Sequence, residues 1–271
     1  MVMHYPIIDF HTHAFPDALA ERAMAQLLAE TDQVTAFLDG KLSSLVASMD
    51  EAGIEQSVLC SIATKPSQFE PIFKWSCQIR SDRIIPLASV HPQDPDGPAH
   101  IHQIAEAGLT GIKMHPYYQD FDMDDPHLNP LYEAIEAEGL LLTMHTGFDF
   151  AFERIDRAGP KKIANVLERF PDLKLVTTHL GSWQQWDEVE AHIIGKPIYM
   201  ETSFSIQYLE PERLRRMILS HPADYILFGS DSPWTDQPAQ IKAFFQLGLP
   251  VKLLKKIFYQ NARDLLKTVQ K

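Results

Sequence analysis

The sequence predicts an α/β protein built as one (β/α)₈ TIM barrel over residues 1–271. Two observations carry that expectation. Short β-rich apolar runs alternate with longer amphipathic stretches from one end to the other, and no linker or composition break divides them. The length of 271 residues also suits a fold that typically takes about 250. Eight runs have strand length: Pro6–His13, Ser57–Ile62, Ile84–Val90, Thr110–His115, Leu140–His145, Leu173–His179, Ile198–Thr202 and Tyr225–Asp231.

Helices are expected between them. Leu42, Leu45, Val46 and Met49 fall at i, i+3, i+4 and i+7 and stop at Gly53, the spacing of an amphipathic helix closed by glycine. Ile101 and Ile104 precede Gly108 in the same way. Asn129 and Pro130 form a cap and first-turn pair before Leu131 and Ile135, with Gly139 as the stop, and Pro238 opens a stretch that Gly248 closes. Residues 14–52 form a long insertion between strands one and two, with room for two helices that could overhang the barrel mouth. Tyr117–His127, rich in Asp and aromatics, reads as a loop with a solvated acidic face.

Composition narrows the function classes. Hydrophobic residues make up 45% and charged residues 22%, which is ordinary for a folded globule and too apolar for a disordered chain. Acidic residues outnumber basic ones by 36 to 24, so a nucleic-acid surface is not expected. Cys60 and Cys77 are too few for a disulfide framework and lack CxxC spacing. No basic leader and no run of about 18 apolar residues is present, so a cytoplasmic protein without a membrane span is expected.

Twelve histidines stand out, because imidazole is the commonest protein metal ligand. In a βα barrel the functional face is the C-terminal end of the strands. Strand one ends Asp9-Phe10-His11-Thr12-His13, and a period of two turns both imidazoles to one side. Lys113 and His115 share a face at the end of strand four. Strand five ends at His145, strand six at His179 and strand eight at Asp231. Imidazoles and a carboxylate converging on one rim suit zinc or a similar divalent ion, with a position left for water.

These residues resemble the amidohydrolase superfamily. Asp-x-His-x-His, Met144-His145-Thr146-Gly147, Thr178-His179-Leu180-Gly181 and Gly229-Ser230-Asp231-Ser232-Pro233-Trp234 are most similar to its amidohydrolase-related branch, which includes aminocarboxymuconate-semialdehyde decarboxylase. Gln260–Leu266 resembles that branch's C-terminal helix. The resemblance implies that His11, His13, His145 and Asp231 bind one metal ion, most simply Zn²⁺, with His179 beside its water and Asp231 and His179 as the catalytic pair. Binuclear members of the superfamily carry a carboxylated lysine on strand four, so Lys113 leaves two ions open; one is the expected count.

An unmodified Lys113 would instead face an anionic substrate. His115, Tyr117 and Trp234 are further candidates for substrate contact, with Tyr118 beside Tyr117. Trp183–Trp186 could close the pocket. His91 reads as a loop residue and Cys60 as a small buried hydrophobe. His4, His100, His102, His127, His192 and His221 lie away from strand ends and are expected to face solvent.

The main functional expectation is hydrolysis of a small amide, lactone or ester by a metal-activated water; the alternative is nonoxidative decarboxylation of an unsaturated or aromatic acid. No arginine immediately follows a strand end, which favours hydrolysis, although Arg154 could reach inward. A noncatalytic barrel should have lost a ligand, and none is missing. A TatD-like nuclease is disfavoured by the acidic balance. A small-molecule substrate is therefore expected, without nucleic acid or membrane, and with a homo-oligomer open.

Overall fold

The computed structural model describes residues 6–269, so His4 lies outside the described residues. All eight expected strands are present: β1 (Ile8–Thr12), β2 (Gln56–Cys60), β3 (Ile84–Leu87), β4 (Gly111–Met114), β5 (Leu141–Met144), β6 (Lys174–Thr177), β7 (Tyr199–Glu201) and β8 (Ile226–Leu227). All neighbours pair in parallel, in two arcs, β1–β2–β3 and β4 to β8. Single bridges close the ring. Ala88 pairs with Ile112 between β3 and β4, and Thr12 pairs with Ser232 where β8 meets β1.

Each strand is buried on both faces, which is why it reads as a continuous apolar run. Inside the barrel Ile8, Phe10, Val58, Leu87, Leu141, Val176 and Leu227 pack together. The helices lie outside. They are α1 (Asp17–Ala29), α2 (Leu42–Ala52), α3 (Phe69–Ile79), α4 (Gly97–Glu106), α5 (Asn129–Glu138), α6 (Pro160–Arg169), α7 (Trp186–His192), α8 (Pro211–Ser220), α9 (Gln237–Gln246), α10 (Val251–Lys255) and α11 (Asn261–Lys267). Gly53 and Gly139 end α2 and α5 in the left-handed conformation. Within the long excursion after β1, α2 packs against α9 as a barrel helix, whereas α1 has only Ala20 and Met24 buried.

A one-residue detail of β1 matters for the site. Its register with β2 shifts between Asp9 and Thr12, an irregularity that re-aims the side chains that follow. Ile8 and Phe10 therefore fill the barrel, while His11 and His13 reach the cavity at its mouth. Strict alternation over Asp9, His11 and His13 does not hold. Asp9 instead accepts from the Ser230 backbone N–H at 2.9 Å and from the Gln237 side chain at 2.8 Å, tying β1 to the last strand and α9. Burial pushes its carboxyl up to about 6 against those donors.

Two expectations about polar residues are corrected. The acidic loop after β4 is not simply solvated: Asp120 pairs with Arg157 at 2.7 Å, and Asp124 with Lys162 at 3.0 Å on α6. His221 is buried, its Nε2–H donating to the Ile198 carbonyl at 2.9 Å, because a polar ring can leave water if the backbone supplies an acceptor. His100 is likewise drawn inward, stacked 3.7 Å from Phe69 and bonded to Asp94. His127 is exposed as expected.

Gly147, just after β5, has φ of +90°, and a Cβ there would sit 2.0 Å from the backbone nitrogen of Trp183. The two residues form a bridge that joins the loops after β5 and β6. Gly147→Ala is expected to cost about 3 kcal/mol and to lower the melting temperature by roughly 5–10 °C, measured by calorimetry.

Candidate active site

The five histidines at strand ends, Lys113 and Asp231 all line one cavity of 540 Å³ at the C-terminal end of the barrel. Their backbones are held in position. Asp231 N–H donates to the His11 carbonyl at 2.7 Å, and Leu180 N–H to the Glu201 carbonyl at 2.6 Å. His179 and Asp231 have φ of +58° and +62°, a left-handed conformation that non-glycine residues keep only where the surroundings over-determine it.

Hydrogen bonds assign the imidazole tautomers. His11 Nδ1 faces the carboxylate of Glu201 at 3.1 Å, and His13 Nδ1 faces the Cys60 carbonyl at 2.7 Å. Neither partner can donate, so each Nδ1 carries the proton and each Nε2 presents a lone pair. These two Nε2 atoms lie 3.1 Å apart. Asp231 Oδ1 is 3.1 Å from Nε2 of His13 and 3.6 Å from Nε2 of His11, and it is buried without a hydrogen-bond donor.

Three acceptors therefore face one another with no proton between them. That arrangement fits a cation, and the donor set of two imidazoles and a carboxylate suits a divalent metal. Protonation supports the fit. Burial keeps the His11, His145 and His179 rings neutral at ordinary pH, the form that ligates metal.

His145 stands slightly apart from this triad. Its Nε2–H donates to the Phe148 carbonyl at 3.0 Å, leaving Nδ1 as a lone pair 3.2 Å from His179 Nε2. His179 Nδ1–H donates to Ser203 Oγ at 2.8 Å, and that hydroxyl donates to Glu201 Oε1 at 2.8 Å. A second pair of nitrogen lone pairs thus meets beside the first. Lys113, fully buried and without a carboxylate partner among the described residues, places Nζ 3.2 Å from His11 Nε2.

Glu201 is the residue that sequence reasoning missed. Fully buried at the end of β7, it orients His11 directly and His179 through Ser203, and it accepts the backbone N–H groups of His179 and Ser203 at 2.8 and 2.7 Å. Burial raises its carboxyl. Its signal was present, since it is the polar residue at the end of an apolar strand, the same rule that found Asp231. Asp149 was also missed: its Oδ2 lies 3.4 Å from His115 Nε2, and His115 stacks on His145 at 4.0 Å with Nδ1 left unpartnered.

The remaining candidates divide. Trp234 and Trp183 line the cavity, as does Tyr118, whose hydroxyl donates to Glu30 on the insertion at 3.0 Å. Tyr117 does not; it is buried behind the wall, bonded to the Ile155 carbonyl. Arg154 turns to Gln184 outside the cavity, and Arg22 of α1 lines it instead. Cys60 is buried and its thiol pushed up to about 12, so it is no nucleophile. His91 accepts from the backbone of Gln93, a loop role. No helix among the described residues is long and apolar enough to cross a membrane.

No curated protein sequence matches the chain. Among solved structures it is similar to an uncharacterised TIM-barrel protein of Bordetella bronchiseptica, with 21% identity, a TM-score of 0.76, and 98% of this chain and 100% of that one covered. It is similar also to 5-carboxyvanillate decarboxylase LigW of Sphingomonas paucimobilis (16% identity, TM-score 0.71, 97% and 99% covered). A third is a dihydroxybenzoic acid decarboxylase of Polaromonas sp. JS666, solved with bound manganese and the inhibitor 2-nitroresorcinol (16%, TM-score 0.70, 97% and 97%). At these identities the likeness speaks for the barrel fold. The sequence itself matches the amidohydrolase family model over residues 8–268, a span that takes in every strand end described above, and the chain is an enzyme belonging to the amidohydrolase family.

Proposed function

We propose that the protein is a metal-dependent nonoxidative decarboxylase of a small aromatic or unsaturated carboxylic acid. The observation that carries this reading is the cavity, which sets the acceptor cluster and the buried Lys113 amine beside aromatic walls. Phe150 packs 4.1 Å from Trp183 and 5.2 Å from Phe204, and Phe204 lies 5.8 Å from His179. A flat acid matches such a slot. The case for hydrolysis rested on the lack of an arginine after any strand; Arg22 brings a second cation to the cavity from the insertion. The decarboxylases among the structural neighbours support the same reading.

One divalent ion, of zinc or manganese, would be held by His11, His13, His145 and Asp231; when bound it polarises the oxygen atoms of the acid and accommodates negative charge. The chain supplies the rest. Lys113 Nζ pairs with the substrate's anionic oxygen, and the aromatic walls hold the ring and exclude water. As the bond between ring and carboxylate breaks, its electron pair stays on the ring carbon, CO₂ leaves, and a proton must be delivered to that carbon. His179 Nε2, an acceptor in the resting site, takes this proton from solvent water and passes it to the carbon, while its Nδ1–H stays fixed through Ser203 to Glu201.

Protein loaded with Zn²⁺ or Mn²⁺ is expected to release CO₂ from an ortho-hydroxybenzoic acid, at near one ion per chain. Chelation should remove that activity and metal should restore it. Turnover of amides or lactones without CO₂ release, measured on the same preparations, would overturn the decarboxylase reading.

A further inference from the structure

We infer that the substrate carries an apolar extension beyond its reacting acid head, held between the insertion helix α1 and α3. This rests on the proposed placement of an acid head at the imidazole cluster, and it adds the substrate's outer half. The lining of the cavity shows a helical period on both sides. From α1 it takes Leu19, Ala23 and Leu27, spaced i, i+4 and i+8 along one row, with Arg22, Gln26 and Glu30 forming a polar row beside it. From α3 it takes Pro71, Ile72 and Trp75, a second apolar face at i, i+1 and i+4. Val34, beyond α1, continues the apolar lining.

Neither face is fully covered by protein: Ala23 and Leu27 on α1 and Ile72 and Trp75 on α3 are only half-buried. Leu19 is 43% exposed, and α1 contributes only Ala20 and Met24 to the interior. A 13-residue helix with so little of it buried is a weak packing element, yet it places an apolar row along the cavity. The volume points the same way. A cavity of 540 Å³ is of the size that takes a drug-sized ligand, larger than a one-ring aromatic acid of about eleven heavy atoms. The space left over is assigned to the part of the cavity that α1 and α3 line. It is continuous with the imidazole cluster, so its occupant belongs to the same small molecule. An alkyl or second aryl group on the acid, on the side away from the carboxylate, fits this chemistry.

The test uses acids without an ortho-hydroxyl group, so that binding is read without turnover. Benzoate, 4-ethylbenzoate, 4-butylbenzoate and 4-hexylbenzoate are titrated into metal-loaded protein by calorimetry. The dissociation constant is expected to fall about fourfold per methylene, or roughly 200-fold from benzoate to 4-butylbenzoate. Ala23→Trp, which plugs the α1 row, and Leu27→Asp, which makes it polar, should flatten the series while leaving benzoate itself unchanged. Both sites lie on the cavity side of a surface helix, and circular dichroism checks that each variant is folded. A flat series in the unmodified protein overturns the inference, and so does a slope that survives both substitutions. A slope that both substitutions abolish, in a protein that releases no CO₂ from any acid, upholds the apolar subsite while removing the decarboxylase reading.

Discussion

Asp231→Asn is expected to reduce kcat/KM by about 10³-fold or more while the barrel stays folded. The carboxylate sits between the Nε2 lone pairs of His11 and His13, with Oδ1 buried and without a donor. An amide of the same shape keeps the packing and the backbone bond from residue 231 to the His11 carbonyl, because that bond uses the main chain. It loses the charge that would balance a divalent ion. Metal content should fall with activity, and thermal melting of the metal-free protein should move by only a few degrees. Near-normal turnover in this variant would sink the assignment of Asp231.

The second large effect is at Glu201, which does not itself line the cavity but holds two residues that do, His11 and His179. Removing its side chain in Glu201→Ala leaves four buried donors without an acceptor: His11 Nδ1–H, the Ser203 hydroxyl, and the backbone N–H groups of His179 and Ser203. Each such group costs about 1–3 kcal/mol, so a drop of at least 10 °C in melting temperature is expected. Glu201→Gln separates structure from function. It preserves shape and most of the acceptors but frees the tautomer of His11, and metal affinity should weaken by about 10–100-fold with little change in melting. Unchanged affinity in Glu201→Gln would show that Glu201 only fills space.

The strands and the rim of polar residues were legible in the sequence for a shared reason. Burial on both faces makes each strand an apolar run, and the residue that ends the run is the one that meets the cavity. His145, His179 and Asp231 stand out on that ground alone. What was not legible depends on single-residue geometry or on long-range approach. The register shift in β1 is invisible to a period-two count, and so is the turn of Asp9 toward Ser230 and Gln237. Tyr117 and Tyr118 are adjacent, and only the path of the loop decides which one reaches the cavity. Arg22 escaped because cations were sought at strand ends, whereas it comes from a helix that folds back over the mouth. His221 looked solvated because a backbone acceptor 23 residues away cannot be read from its neighbours.

The closing of the ring at β8 and β1 has a further consequence, for how the chain is made rather than for what it does. Asp9 and Ser230 are 221 residues apart, and the seam where they meet also joins His11 and His13 to Asp231. Bringing such distant segments together is among the costliest steps in loop entropy and a late one in ordering contacts. The acceptors of the site therefore do not exist as a group until the last strand docks on the first. A ribosome-bound or truncated chain that lacks Asp231 has the histidines but not the carboxylate that completes the triad with His11 and His13, so tight ion uptake would mark the moment at which synthesis and closure are both complete, and would pull the equilibrium toward the closed barrel.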